Sequence, residues 1–323
     1  MDFGKEFGAF YKVIRIDKEK RISLLSNKKA LRTKIKNNFE KKDRTKPKFF
    51  IQGSMDTEVA TGINPLNEDY DIDDGVYLQD INRQSITPET AHKWVYDAVD
   101  GHTKETKDKS KCVRVIYANN EKHVDLPIYV EEDGIYYLAI KGKGWIENNP
   151  KKISKWFQDE RKAKGHDFRK AVRYLKAWKD KRENDNSNLE LFGGFQLSIL
   201  ASDYFPDSYD NLEEMYFKLV DKINDNSWAY PSLDNPINSL QDTIEYYSEA
   251  RIKTFKEEFS KMYEQAKDAY EETDSSKKHT KWAKIFGDRF PEPTDDENEA
   301  KSCETPLVIK GTTDISKTSG RQA

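Results

Sequence analysis

Cysteine is nearly absent from this chain. Its 323 residues include only Cys112 and Cys303, which lie in unrelated surroundings. Two isolated thiols build no disulfide framework, and a reducing compartment is the simplest setting for them. Histidine is scarce as well: five residues, scattered, with nothing resembling the spacing of a zinc site. There is no run of 18 apolar residues, and the first residues lack the apolar stretch of a secretion signal. The expectation is therefore a soluble cytoplasmic protein with no membrane association. An excess of one charge is also missing. Lys and Arg number 55 against 58 Asp and Glu, a net charge of −3, so nothing draws the whole molecule to nucleic acid. In place of these features stands a very polar composition, 35% charged with a mean hydropathy of −0.95. Aromatics at 12% compensate for thin aliphatic content. The length suits one large or two modest domains with a sizeable core.

Periodicity organises the chain into a mixed first half and a helical second half. After an aromatic-rich start over residues 1–12, Leu24, Leu31, Ile35 and Phe39 recur at helical spacing, which predicts a long amphipathic helix from about Asp17 to Phe39. The lysine-rich stretch 41–48, with Pro47, ends it. Residues 48–52 read as a short strand running into Gly53, residues 55–70 as a loop broken by Gly62 and Pro65, and 71–78 as a strand. A helix is expected from Pro88 to Val99, then a polar loop over 101–111. Strands follow at 113–118, 123–130 and 135–140, the first two joined through Asn119-Asn120, with mostly antiparallel pairing. In the second half, Phe168, Ala171, Val172, Leu175 and Trp178 share one helical face. Residues 195–201 form an apolar helix after Gly193-Gly194, and 244–270 a long amphipathic one. Past Pro293 an acidic stretch leads into a tail rich in Ser, Thr, Lys and Gly, expected to lack fixed structure. The expected domains are 1–150, 151–293 and a flexible tail, 294–323. There is no internal repeat.

The chemistry concentrates in three short segments. Ile51-Gln52-Gly53-Ser54 offers a glycine, which lets a ligand approach the backbone, and a serine able to donate to a phosphate oxygen. Alone, such a pair is ordinary loop chemistry. In the strand Asp71-Ile72-Asp73-Asp74-Gly75-Val76-Tyr77, side chains alternate, so Asp71 and Asp73 face the same way. The plain alternative for two such acids is a solvated strand edge. Asp125 stands in His123-Val124-Asp125-Leu126-Pro127, opposite in facing to its apolar neighbours. Carboxylates this close repel unless a cation lies between them, and metal-assisted phosphoryl transfer uses such a set. The acidic run from Glu68 to Asp74 also admits Asp69 and Asp71 as the pair. Arg169, Arg173 and Lys176 recur at one helical face, which for Arg169 reads as solvated. Arg114 lies on the strand before Asp125. His123 reads as a partly exposed strand residue, and Tyr70, Tyr77, Tyr117, Tyr129 and Trp145 mostly as packing residues rather than a base platform.

Taken together, Gly53-Ser54, sixteen intervening residues (55–70), Asp71-Ile72-Asp73 and the later Asp125 resemble the polymerase-β-type nucleotidyltransferases, and among them the bacterial cGAS/DncV-like group of anti-phage defence. The segments 71–78 and 123–129 are similar to that group's acid strands. Arg173–Trp178 is similar to its basic helix, Phe195–Ser198 to the start of the next, and Lys281–Pro291 to its closing segment; the resemblance spans about residues 20–291. It implies an α+β fold: a nucleotidyltransferase core with a mixed sheet and an N-terminal spine helix, a C-terminal helical bundle, and a nucleotide cleft between them. It implies a synthase of cyclic di- or trinucleotides from ATP and other NTPs, with two Mg2+ ions (Mn2+ able to substitute) held by Asp71, Asp73 and Asp125. Gly53, Ser54, Lys176, Ser198 and Arg114 are then the candidate nucleotide contacts. A downstream effector of the product is implied, and a ubiquitin-ligase-like partner that conjugates the C-terminus (Gly311–Ala323) is a further expectation. A tRNA or protein acceptor, or an inactive nucleotide-binding scaffold, are the alternatives. Net acidity speaks against tRNA.

Overall fold

A computed structural model describes residues 2–59, 70–117, 122–226 and 232–293. The flexible tail expected over 294–323 lies outside the described residues, as do Asp69 and the Asn119-Asn120 turn. Residues 1–293 form one compact unit. Among the described residues the order is α1 (Gly4–Ile14), α2 (Lys18–Lys41), β1 (Lys48–Gln52), α3 (Gly53–Asp56), β2 (Tyr70–Tyr77), α4 (Pro88–Val99), β3 (Glu105–Asp108), β4 (Val113–Ile116), β5 (Lys122–Leu126), β6 (Ile128–Glu132), β7 (Ile135–Ile140) and β8 (Gly144–Glu147). Then come α5 (Pro150–Lys164), α6 (Asp167–Asp185), α7 (Gly194–Asp203), α8 (Leu212–Asn226), β9 (Asp234–Asn235), β10 (Asn238–Asp242), α9 (Glu249–Glu271) and α10 (Ser275–Phe286). This is the expected α+β architecture, a mixed sheet followed by helices. No described helix is long and apolar enough to cross a membrane.

Helix α2 forms where the apolar spacing places it. Asp17 caps it by accepting the Lys20 N–H at 2.7 Å, which satisfies one of the free amides of the first turn. Leu24, Leu31, Ile35 and Phe39 are all buried against the sheet. Each such side chain stabilises the fold by about 1.5–3 kcal/mol relative to exposure. On α4, Pro88 occupies the first turn and Thr87 caps it, while Ala91, Val95 and Val99 enter the same core.

The sheet runs β3-β4-β5-β2-β6-β7-β8, with β1 on the other edge of β2. Most pairs are antiparallel, but the central one is not: β2 runs parallel to both β5 and β6. The expected strand 123–130 is interrupted at Pro127, which has no N–H to give a ladder, yet the register with β2 continues unchanged on either side. The Val76 N–H donates to the Pro127 carbonyl at 2.8 Å. Strand β3 lies inside the stretch expected to be a polar loop, and α5, α8 and the β9–β10 hairpin are additions to the sequence reading.

A second core gathers the helices. Phe7 meets Tyr174, Trp282, Phe286 and Phe290 edge-on at 4.9–5.8 Å between centroids. Helix α1 thus packs with α6, α8 and α10 rather than with the sheet. Buried Glu213 fastens this corner: it accepts from the Phe3 N–H at 2.7 Å and the Trp282 indole at 2.8 Å, and pairs with Lys278 at 3.1 Å. A buried carboxylate needs such complete satisfaction.

Candidate active site

The turn between β1 and α3 is built around Gly53. Its φ of +68° lies in the left-handed region, and a Cβ there would overlap the Asp73 carboxylate. Glycine is required on both counts, conformation and space. Ser54 follows in the single turn of α3, which Thr57 tightens by donating to the Gly53 carbonyl at 3.0 Å.

Strand alternation and register then assemble the acids. Parallel pairing sets Asp73 beside Asp125 and Asp71 beside His123, so all four side chains share one face. Asp74 leaves the opposite face, fully buried, and takes a two-point salt bridge from Arg32 of α2. The His123 Nε2 lies 3.7 Å from an Asp71 oxygen and 4.0 Å from an Asp125 oxygen, and one donor atom from each of the three lies within 4.8 Å of the others. Burial, then Asp71 and Asp125 alongside, push the Asp73 carboxyl well above the usual carboxylate range, with Arg114 and Lys176 pulling the other way. Convergent, under-compensated oxygen donors of this kind fit hard divalent cations. The partly exposed setting expected for His123 is corrected: it is 6% exposed and turned into the acid cluster.

Arg114, an expected nucleotide contact, is engaged by one of the acids. Antiparallel pairing of β4 with β5 brings it opposite Asp125. Its Nε and Nη2 donate to the two carboxylate oxygens at 2.7 and 2.6 Å. The fork fixes the orientation of Asp125, and because each oxygen has a second lone pair, it leaves capacity for an ion.

Across from the sheet, α6 and α7 supply the remaining candidates. Gly53, Ser54, Asp73, Asp125, Lys176 and Ser198 line a single cavity of about 640 Å3. Ser198 donates to the Gly194 carbonyl at 2.8 Å, and the Lys176 Nζ to the Val59 carbonyl at 3.1 Å. Burial lowers the Lys176 pKa, which Asp180 and Asp71 partly offset. Arg173 is buried and donates to the Glu58 carbonyl at 2.6 Å; Arg169 pairs with the Glu58 carboxylate. The solvated face expected for Arg169 is therefore wrong: α6 turns its basic face onto residues 58–59, because the chain leaving α3 crosses it.

The same cavity is lined by Gln52, Asn148, Trp156 and Phe195, and by the Lys109–Lys111 loop, none of them among the site residues expected from sequence. Trp156 and Phe195 meet edge-on at 6.1 Å. Their apolar positions look like ordinary packing until α5 and α7 are seen to flank the acids. Tyr77 and Tyr129 stack at 4.8 Å within the interior, as packing residues do, although Tyr129 reaches the cavity wall. Trp145 donates to the Ile86 carbonyl and packs on the sheet core.

Comparison with known proteins fits this geometry. Residues 47–129, from β1 through the acid strands, match the family model described as cyclic GMP-AMP synthase DncV-like, nucleotidyltransferase domain. Over these residues the chain is similar to the cGAS/DncV-like nucleotidyltransferases. Among curated members of the group, a cyclic AMP-AMP-AMP synthase of Acinetobacter sp. is 28% identical over 180 residues, 53% of this chain and 52% of that protein. A cyclic GMP-AMP synthase of Escherichia albertii is 31% identical over 142 residues, 41% of this chain and 31% of that one. The matches thus take in about half or less of these relatives' lengths. The apo structure of Vibrio cholerae DncV superposes with a TM-score of 0.75 at 17% identity, covering 90% of this chain and 96% of DncV. An Escherichia coli CdnC, solved in complex with a HORMA protein, gives 0.68 at 15% identity, covering 89% and 98%. The cGAS/DncV-like fold therefore extends across the sheet and the helical half alike.

Proposed function

We propose that this chain joins nucleoside triphosphates into a cyclic di- or trinucleotide, releasing pyrophosphate, and that the product is a second messenger of anti-phage signalling. The observation that supports this most is the parallel pairing of β2 with β5. It aligns Asp73 with Asp125 on the wall of a cavity whose other side carries Lys176 and Ser198. The volume, about 640 Å3, is in the range of small-molecule sites. The names of the relatives, synthases of cyclic AMP-AMP-AMP and cyclic GMP-AMP, support the product class.

Asp71, Asp73 and Asp125 are the residues to hold two Mg2+ ions, with Mn2+ as a substitute. Such ions, when bound, neutralise a triphosphate and make a ribose hydroxyl a better nucleophile. The chain's own groups do the rest. Gly53 opens the backbone for close approach of the phosphates, and Ser54 donates to them. Lys176 exchanges the Val59 carbonyl for a phosphate oxygen, a charge-assisted bond stronger than the neutral one it replaces. Ser198 lies beside it. Arg114 holds Asp125 in a single orientation. The acceptor hydroxyl forms a bond to the α-phosphorus, the bond to the pyrophosphate leaving group breaks, and the hydroxyl proton is released. Further rounds within the same cavity close the ring, the second for a dinucleotide and the third for a trinucleotide, each releasing one pyrophosphate.

The test is incubation of the purified protein with labelled ATP, GTP, CTP and UTP and Mg2+ or Mn2+, followed by phosphatase. A phosphatase-resistant small product that disappears in Asp73→Ala is expected. Label found only on added tRNA or protein overturns the reading in favour of a macromolecular acceptor, and nucleotide binding without turnover in favour of a scaffold. A conjugating partner at residues 311–323 is a separate part of the proposal. Deleting those residues should leave synthesis intact and abolish conjugation in cells that contain the partner.

A further inference from the structure

We infer that His123 is a nitrogen ligand to one of the two ions, so that the site is a carboxylate–imidazole site rather than a purely carboxylate one. This rests on the metal-dependent reading above and adds a residue to it. Three features carry the inference. Parallel register places His123 directly beside Asp71, and strand alternation puts it on the same face as Asp125. Its ring is buried, at 6% exposure, so its direction is set by packing and not by solvent. Its Nε2 stands 3.7 Å from Asp71 and 4.0 Å from Asp125.

These spacings suit ligands of one ion. Two donors of an octahedral ion, each about 2.1 Å from it, lie roughly 3.0 Å apart when adjacent and 4.2 Å apart when opposite. The observed 3.7 and 4.0 Å exceed the adjacent-ligand value by no more than about 1 Å, so a small inward movement of the carboxylates brings all three donors onto one ion. Two ordinary hydrogen bonds from the ring nitrogen to these carboxylates would instead need contacts near 2.9 Å. Arg114 already occupies one lone pair on each Asp125 oxygen, leaving the second for an ion. Imidazole raises affinity for the later first-row ions, whereas carboxylate and water suit Mg2+ and Mn2+. The imidazole therefore shifts the site's preference towards Co2+ and away from Mg2+ relative to an all-oxygen site.

Pulsed EPR of Mn2+ bound to the full chain tests this, with inorganic tripolyphosphate as a nitrogen-free stand-in for the nucleotide. The expected result is a 14N coupling on bound Mn2+ that becomes a 15N coupling in protein grown with 15N-histidine. In His123→Gln the coupling should vanish while Mn2+ still binds, and Co2+ affinity should fall by at least about tenfold, with a smaller loss for Mg2+. Bound Mn2+ without nitrogen coupling, or a coupling that persists in His123→Gln, overturns the inference and leaves the proposed function standing. Failure to bind Mn2+ at all overturns both. The labelled native protein answers the question by itself if His123→Gln does not fold.

Discussion

Asp73 and Asp74 are adjacent in β2 and leave opposite faces of the sheet, so replacing each with asparagine should produce opposite phenotypes. Asp74 is fully buried and receives both arms of Arg32, whose side chain is 27% exposed. Removing one partner of a buried ion pair costs about 3–5 kcal/mol when the other charge is stranded. Arg32 can partly reach water, so we place Asp74→Asn at about 2–3 kcal/mol of lost stability. For a unit of this size that corresponds to roughly 5 °C in Tm. Turnover per folded molecule should remain. Asp73→Asn should abolish turnover and, without divalent ions, melt at or above the temperature of the native chain, because it removes one of several mutually repelling carboxylates. The sign follows from linkage. Asp73 has a raised folded-state pKa, so its ionisation opposes folding, fully so above that pKa and not at all below the unfolded value of about 3.9. The stabilisation in Asp73→Asn should therefore be present at neutral pH and fade as the pH falls to about 4. Thermal melts in EDTA across pH 4–8, paired with product formation in Mg2+, make the measurement. Destabilisation by Asp73→Asn at neutral pH, or loss of catalysis with normal stability in Asp74→Asn, would refute the assignment of faces.

Other predictions follow from single contacts. Gly53→Ala places a Cβ against the Asp73 carboxylate and forces a left-handed conformation costing about 1–2 kcal/mol; turnover should fall by at least about 100-fold, as the acid is displaced, with a modest drop in Tm. Ser54→Ala removes a hydrogen-bond donor and no ion ligand, so its loss in kcat, on the order of 10–100-fold, should be smaller than that of Asp71→Ala or Asp73→Ala under identical conditions. Lys176→Met should raise the KM for the triphosphate more than it lowers kcat, read from initial rates against nucleotide concentration. An unchanged KM would place the phosphates elsewhere in the cavity.

Much of this arrangement was legible in the order of residues. Helix α2 follows from Leu24, Leu31, Ile35 and Phe39 at helical spacing after Asp17, because a stripe of apolar side chains can be buried in only one way. The shared facing of Asp71 and Asp73 follows from the two-residue period of a strand, which holds wherever the strand lies. Neighbours in space are another matter. Nothing local to His123 says that β5 runs parallel to β2 in a register that turns its ring onto Asp71. Nor does anything local to Arg114 direct its fork to Asp125 rather than to a ligand. Arg169 reads as a solvated residue in sequence, yet the chain after α3 crosses it and pairs it with Glu58. Trp156 and Phe195 became walls of the cavity only when two helices closed over the acids. Side-chain periodicity is a property of the backbone and is written into the chain; strand register, pairing direction and the packing of helices onto a sheet depend on contacts between residues far apart in sequence, and only the folded molecule decides them.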